Sequence, residues 1–126
     1  MSENKEVRCV VIDVNRREVY EANIREDDKL AMMQHHVGGF IEVAATCEND
    51  DTVYVDEEGL LKELTLGFFW NGQPFMGNGI VCGHDPKTGE TVDAKQTLVQ
   101  VKAQVEFFDL RGATKSKYVG NEVEAE

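Results

Sequence analysis

The chain has no apolar run approaching the roughly 20 residues that cross a bilayer as a helix. It also has no Cys-x-x-Cys pair and no His-x-x-x-His spacing, which removes the familiar zinc frameworks. Gly77-Asn78-Gly79 is followed by neither a third glycine nor Lys-Ser/Thr, and a strand is expected after it, so a phosphate-cradling loop is absent as well. Basic residues are scarce: 13 Lys and Arg stand against 24 Asp and Glu, for a formal net charge of −11. Such a field repels phosphate backbones and anionic membrane surfaces, so neither nucleic acid nor membrane is expected as a direct partner. The cysteines number three (Cys9, Cys47 and Cys82), an odd count, and no apolar leader follows Met1. A disulfide framework is therefore not expected, and reduced thiols in a cytosol are.

What is present suits one small domain. The length of 126 residues and a hydrophobic content of 41% support a single core. Val7 to Val14 is almost wholly apolar and β-branched, the pattern of a strand covered on both faces. Glu18 to Ile24 alternates, with Tyr20, Ala22 and Ile24 on one side and Val19 on the other, so the two runs form a hairpin across Asn15-Arg16-Arg17. Asp27 or Asp28 can cap a helix whose stripe is Leu30, Met33 and Val37 and whose stop is Gly38-Gly39. A second hairpin joins Phe40–Thr46, with Ile41, Val43 and Ala45 on one face, to Thr52–Val55. The loop between them, Glu48-Asn49-Asp50-Asp51, lacks the alternating ligand spacing of a calcium loop.

Farther on, Leu60, Leu61, Leu64 and Leu66 lead into Phe68-Phe69-Trp70, and the next nine residues include four Gly or Pro, which predicts an irregular loop rich in aromatics. Ile80 to Gly83 reads as a strand, and Asp85-Pro86-Lys87-Thr88-Gly89 as a tight turn. Leu98 to Phe108 fits both periodicities; the reading adopted is a short helix capped by Thr97, then a strand through Val105–Phe108. The expected fold is thus α+β: an antiparallel or mixed β-sheet built from hairpins, with one or two short helices packed on it. Residues 1–6 are expected as a flexible N-terminus, 7–111 as the domain, and 112–126 as a disordered acidic tail.

The densest chemistry is Cys82-Gly83-His84-Asp85, but adjacent residues rarely form a nucleophile–base–acid triad, because the three must converge from different directions. On an extended strand Cys82 and His84 stand about 7 Å apart. Cys9 and Cys82 lie in apolar runs where cysteine acts as a small buried hydrophobe. No catalytic residue, no metal ligand and no cofactor are therefore assigned. The segment from Phe68 to Asn78 mixes large apolar side chains with amides, as ligand pockets and interface anchors do. The candidate binding residues are Phe69, Trp70, Asn71, Gln73, Phe75 and Asn78, together with His84.

Two segments, Val37-Gly38-Gly39-Phe40-Ile41-Glu42-Val43 and Gly77-Asn78-Gly79-Ile80-Val81-Cys82-Gly83-His84-Asp85, carry a likeness to a known family. In this order of elements the chain resembles a domain-of-unknown-function family of small bacteriophage and plasmid proteins, in which VGGYIEV and GNGVVVGHD segments recur. Phe40 stands where that family more often has Tyr, and Cys82 where it more often has Val. The resemblance implies an accessory protein of a phage or mobile element, working in the bacterial host cytoplasm, with no catalytic residues to carry over. The expected function is non-enzymatic binding and modulation of a host or defence protein, one with a basic surface if the acidic field drives the encounter. The alternatives are a nucleotide-like small-molecule binder or sponge, and a structural domain with no ligand of its own.

Overall fold

The computed structural model describes residues 5–47, 49–59, 62 and 64–111. The expectations for residues 1–4, for the tail over 112–126 and for Leu60 and Leu61 lie outside the described residues. Strand β1 (Glu6–Asp13) pairs antiparallel with β2 (Glu18–Arg25) in the expected hairpin, Val11 facing Tyr20 and Ile12 facing Val19. A single 3-10 turn at Glu26–Asp28 leads into α1 (Lys29–Val37), then β3 (Ile41–Thr46), β4 (Thr52–Asp56), β5 (Leu66–Trp70), β6 (Gln73–Met76), β7 (Gly79–His84), β8 (Thr91–Val92), α2 (Leu98–Gln104) and β9 (Val105–Asp109). The larger sheet runs β2-β1-β7-β4-β3, with β8 attached to β7; the smaller runs β6-β5-β9. Every strand pair is antiparallel.

Alternation along β1 explains the layering. Val7, Cys9 and Val11 point to one face of the large sheet and join Ile24, Ile80 and Cys82 under α1, which contributes Met33 and Val37. Val10, Ile12 and Val14 point to the other face, where Val53, Val55 and Val81 meet Phe68 and Trp70 of the small sheet and Val101 of α2. The single core expected from length is therefore two, one on each face of a sheet covered on both sides. The central strand β7 is buried along five of its six residues. Gly79 on it makes room for a ring: a Cβ there would lie 2.8 Å from Cζ of Phe68.

Three local expectations are corrected. The segment from Phe68 to Asn78 is a hairpin, not a loop: Asn71 and Gly72 take positive φ of 50° and 88°, the two-residue turn whose twist matches the flanking strands. Pro74 is tolerated because β6 is an edge strand. In β3 a bulge at Ala44 breaks the alternation. Ile41 consequently packs under α1 while Ala44 and Ala45 both pack on the opposite core, and Val43 is 56% exposed. Leu30 lies outside the helix stripe at 55% exposed, and neither Asp27 nor Asp28 caps α1; both carboxylates pair with Arg25 instead. The ambiguous C-terminal stretch resolves as read, with Thr97 and Gln100 forming a reciprocal capping box at the start of α2 and a strand from Val105.

At the end of α1, burial lowers the His36 pKa, the neighbouring His35 lowers it further and Asp13 opposes both. The folded state thus binds the His36 proton less readily than the unfolded chain, so this contribution to stability is complete above the ordinary value of 6.5 and is lost as pH falls through it. Urea midpoints measured from neutral to mildly acid pH should fall more steeply for the parent chain than for His36→Gln. Gly79→Ala should cost about 1–3 kcal/mol by overpacking. In a double-mutant cycle monitored by urea denaturation, Phe68→Leu should make that substitution less costly.

Candidate functional site

The β5–β6 turn, one side of α2 with Gln96 before it, and the β3–β4 corner enclose an open cleft of about 820 Å³, lined by Ala45, Thr46, Cys47, Asn49, Trp70, Asn71, Gln73, Gln96, Gln100, Ala103 and Gln104. Six of these carry side-chain amides and none carries a formal charge. Local chemistry sets them there. The left-handed turn aims Asn71 at α2, where its backbone N–H donates to the Gln104 carbonyl at 2.9 Å and its Nδ2 donates to Gln104 Oε1 at 3.0 Å. Gln104 Nε2 donates to Gln96 Oε1 and, at 2.9 Å, to the Gln100 carbonyl. Gln96 Nε2 donates in turn to Cys47 Sγ at 3.5 Å. The result is a directed chain of amides from the hairpin turn to the β3–β4 corner.

Free groups remain on this chain. Gln100 Oε1 accepts from the Thr97 N–H at 2.8 Å and Asn49 Oδ1 accepts from the Asp51 N–H at 3.1 Å, so both oxygens are engaged by the protein, while no hydrogen bond among the described residues uses the amide nitrogens of these two cleft-lining residues. The uncommitted capacity is therefore weighted toward N–H donors, with Gln73 adding a whole exposed amide. Trp70 supplies the apolar wall; it is only 4% exposed, and no hydrogen bond among the described residues uses its indole N–H.

Asp51 holds this arrangement. Its carboxylate is fully buried and accepts from the Lys95 N–H at 2.9 and 3.1 Å and from the Gln96 N–H at 3.0 Å, while its carbonyl accepts from the Cys47 N–H at 2.8 Å. The acidic loop thus serves as an anchor for the residues leading into α2. Burial pushes the Cys47 thiol up, the hydrogen bond from Gln96 lowers it in part and the Asp51 charge raises it again, which does not favour a thiolate at neutral pH.

Of the residues expected in a binding site, Trp70, Asn71 and Gln73 meet in the cleft. Phe75 packs on Phe68, ring centroids 5.8 Å apart, and Phe69 lies on the outer face of the small sheet against Phe108 at 4.9 Å. Asn78 is a tie between elements: its Oδ1 accepts from the Val14 N–H at 2.8 Å and its Nδ2 donates to the His36 carbonyl at 3.1 Å. His84 ends β7 opposite Thr91 and is half-buried. The Cys82 thiol faces Cys9 in the core, and the hydrogen bond between them, together with burial, pushes it far up. Sequence reasoning missed Gln96, Gln100 and Gln104, although Gln100 and Gln104 stand four residues apart on a short helix capped at Thr97, which places them on one face, and Gln96 immediately precedes that cap. Among the described residues no group of three or more His, Cys, Asp or Glu side chains is placed to hold a metal ion, and no helix is long and apolar enough to cross a membrane.

A family model described as a domain of unknown function, DUF3846, matches residues 7–107. No curated protein and no solved structure matches the chain.

Because the Asp51 carboxylate is matched to two backbone N–H groups, Asp51→Asn should lower stability by about 2–3 kcal/mol in urea denaturation, the new amide presenting N–H where an acceptor is required.

Proposed function

We propose that this chain, which belongs to the DUF3846 family, is a non-enzymatic binding protein that receives an uncharged, carbonyl-bearing group in its amide-lined cleft, a nucleobase-like heterocycle being the class that fits best. The observation that carries this reading is the composition of the cleft: six amides with surplus N–H donors beside a tryptophan wall, and no charged side chain. A planar ring bearing carbonyl acceptors would satisfy those donors and lie on the apolar surface of Trp70, Ala45 and Ala103. Phosphate would gain nothing there, since no Lys or Arg lines the cleft and the chain carries a net charge of −11.

A second reading rests on that charge. In it the chain is an accessory protein of a phage or mobile element, working in the bacterial cytoplasm, that binds a host or defence protein through a basic surface. Such an encounter is accelerated by the acidic field and weakened by salt. Native mass spectrometry of the protein taken from its own host separates the two: a bound mass of small-molecule size, lost on denaturation, supports the cleft, and a salt-sensitive bound polypeptide supports the partner.

Thermal unfolding of the full chain with each of the four ribonucleosides, and with their 5′-monophosphates, tests the cleft directly. At least one nucleoside should raise the melting temperature, with about 2.7 kcal/mol gained at 100 times its Kd. Its monophosphate should do less, and Gln73→Ala or Asn71→Ala should abolish the shift. No response to any nucleoside would overturn the nucleobase assignment.

A further inference from the structure

Beneath α1, on the opposite side of the large sheet from the cleft, two thiols meet in the core. Cys9 and Cys82 are both fully buried and their sulfurs lie 3.1 Å apart. Strand register brings them together: β1 and β7 pair Val10 with Val81, and one further step sets Cys9 opposite Cys82. Directly opposed residues in an antiparallel pair have Cα atoms about 4.5–5.5 Å apart, inside the span of about 4.4–6.8 Å that a disulfide bridges. Closing the gap to a bond of about 2.05 Å requires a movement of roughly 1 Å. The third cysteine, Cys47, is half-buried at the cleft, held by Gln96, and belongs to the other core.

We infer that Cys9 and Cys82 form a modification site: a vicinal dithiol across the β1–β7 ladder, set to close into an intramolecular disulfide by exchange with a low-molecular-weight disulfide such as oxidised glutathione. In the first step one cysteine thiolate attacks a glutathione sulfur, breaking the S–S bond and releasing one glutathione thiolate, which takes up the proton the cysteine gave. In the second step the other cysteine attacks the mixed disulfide, forming the Cys9–Cys82 bond and releasing the second glutathione. The chain loses two protons and two electrons, and one glutathione disulfide takes them up to become two thiols. The hydrogen bond with Cys9 and burial keep the Cys82 thiol protonated, so exchange waits on a separation of α1 from the sheet. The site is thus slow to react and, once closed, ties together two strands that otherwise share only backbone pairing and packing.

The test is the thiol–disulfide equilibrium of the full chain carrying Cys47→Ser, set in glutathione buffers with and without denaturant. Equilibrium is approached both from reduced native protein and by refolding, so that slow access cannot mimic absence. Acid quenching, alkylation and intact mass should show the loss of two hydrogens, with a peptide joining Cys9 to Cys82. The folded constant should exceed the denatured one by roughly 100-fold. A folded constant equal to or below the denatured one, or glutathione adducts at Cys9 or Cys82 in place of the bridge, would overturn the inference. Should Cys47→Ser not fold, peptide mapping of the unmodified chain under the same buffers gives the same decision.

Discussion

The segment from Asp93 to Gln96 belongs to no ladder or helix, yet α2, the cleft and the small sheet depend on where it runs. Two charged side chains fix it from opposite sides. Asp51 gathers the N–H groups of Lys95 and Gln96. The Arg8 guanidinium donates to the carbonyls of Ala94 and Gln96 at 2.7 and 2.9 Å and to Glu21 at 3.1 Å. Four backbone groups that lack a ladder partner are thereby given a charged one, and the Ala94 N–H donates to the Arg8 carbonyl at 2.9 Å. Charge-assisted hydrogen bonds of this kind offset the several kcal/mol that desolvating a carboxylate would otherwise cost. With the segment held, Thr97 can start α2 immediately beyond it, and Gln96, Gln100 and Gln104 fall toward the hairpin turn carrying Asn71.

That anchoring matters because the large sheet needs cover on both faces. A strand as apolar as β7 exposes hydrophobic surface to either side, so one layer of helix cannot satisfy it. The helix α1 covers one face, and the small sheet with α2 covers the other. The glycines of β7 permit the close approach: without Gly79 the Phe68 ring could not lie on the strand, and without Gly83 the carbonyl of Asp93 could not approach it. The cleft is what remains where the small sheet, α2 and the β3–β4 corner meet at their polar ends instead of their apolar faces.

Much of this was legible in the residues. The β-branched run from Val7 and the alternation from Glu18 located the first hairpin, and Thr97 as an N-cap located the start of α2. The bulge in β3 was not legible, because nothing in Val43-Ala44-Ala45 distinguishes two alanines facing one partner from continued alternation. Asn71-Gly72 was legible and was masked by Pro74 and Gly77, whose punctuation suggested a loop although an edge strand accommodates proline. The candidate site was half legible: the turn amides stood out beside Trp70, whereas the glutamines of α2 join them only through a fold-level contact across 33 positions. The pairing of Cys9 with Cys82, 73 positions apart, depends likewise on strand order, which no local pattern specifies.

The distribution of charge separates what the surface can do from what the cleft can do. Acidic side chains crowd the turns and edge strands, and several are already engaged by arginine, as Asp109 is by Arg111 and Arg17, an arrangement that lowers the Asp109 pKa to about 2. The cleft carries no formally charged side chain, and most of its hydrogen-bonding side chains are amides whose donors and acceptors do not change with pH. An uncharged ligand entering it would lose little hydration and would feel the surrounding negative field only weakly, whereas an anion would be opposed at long range before reaching any contact. Selectivity against phosphate would then come from the whole surface, and selectivity among neutral rings from the direction in which the amide chain runs.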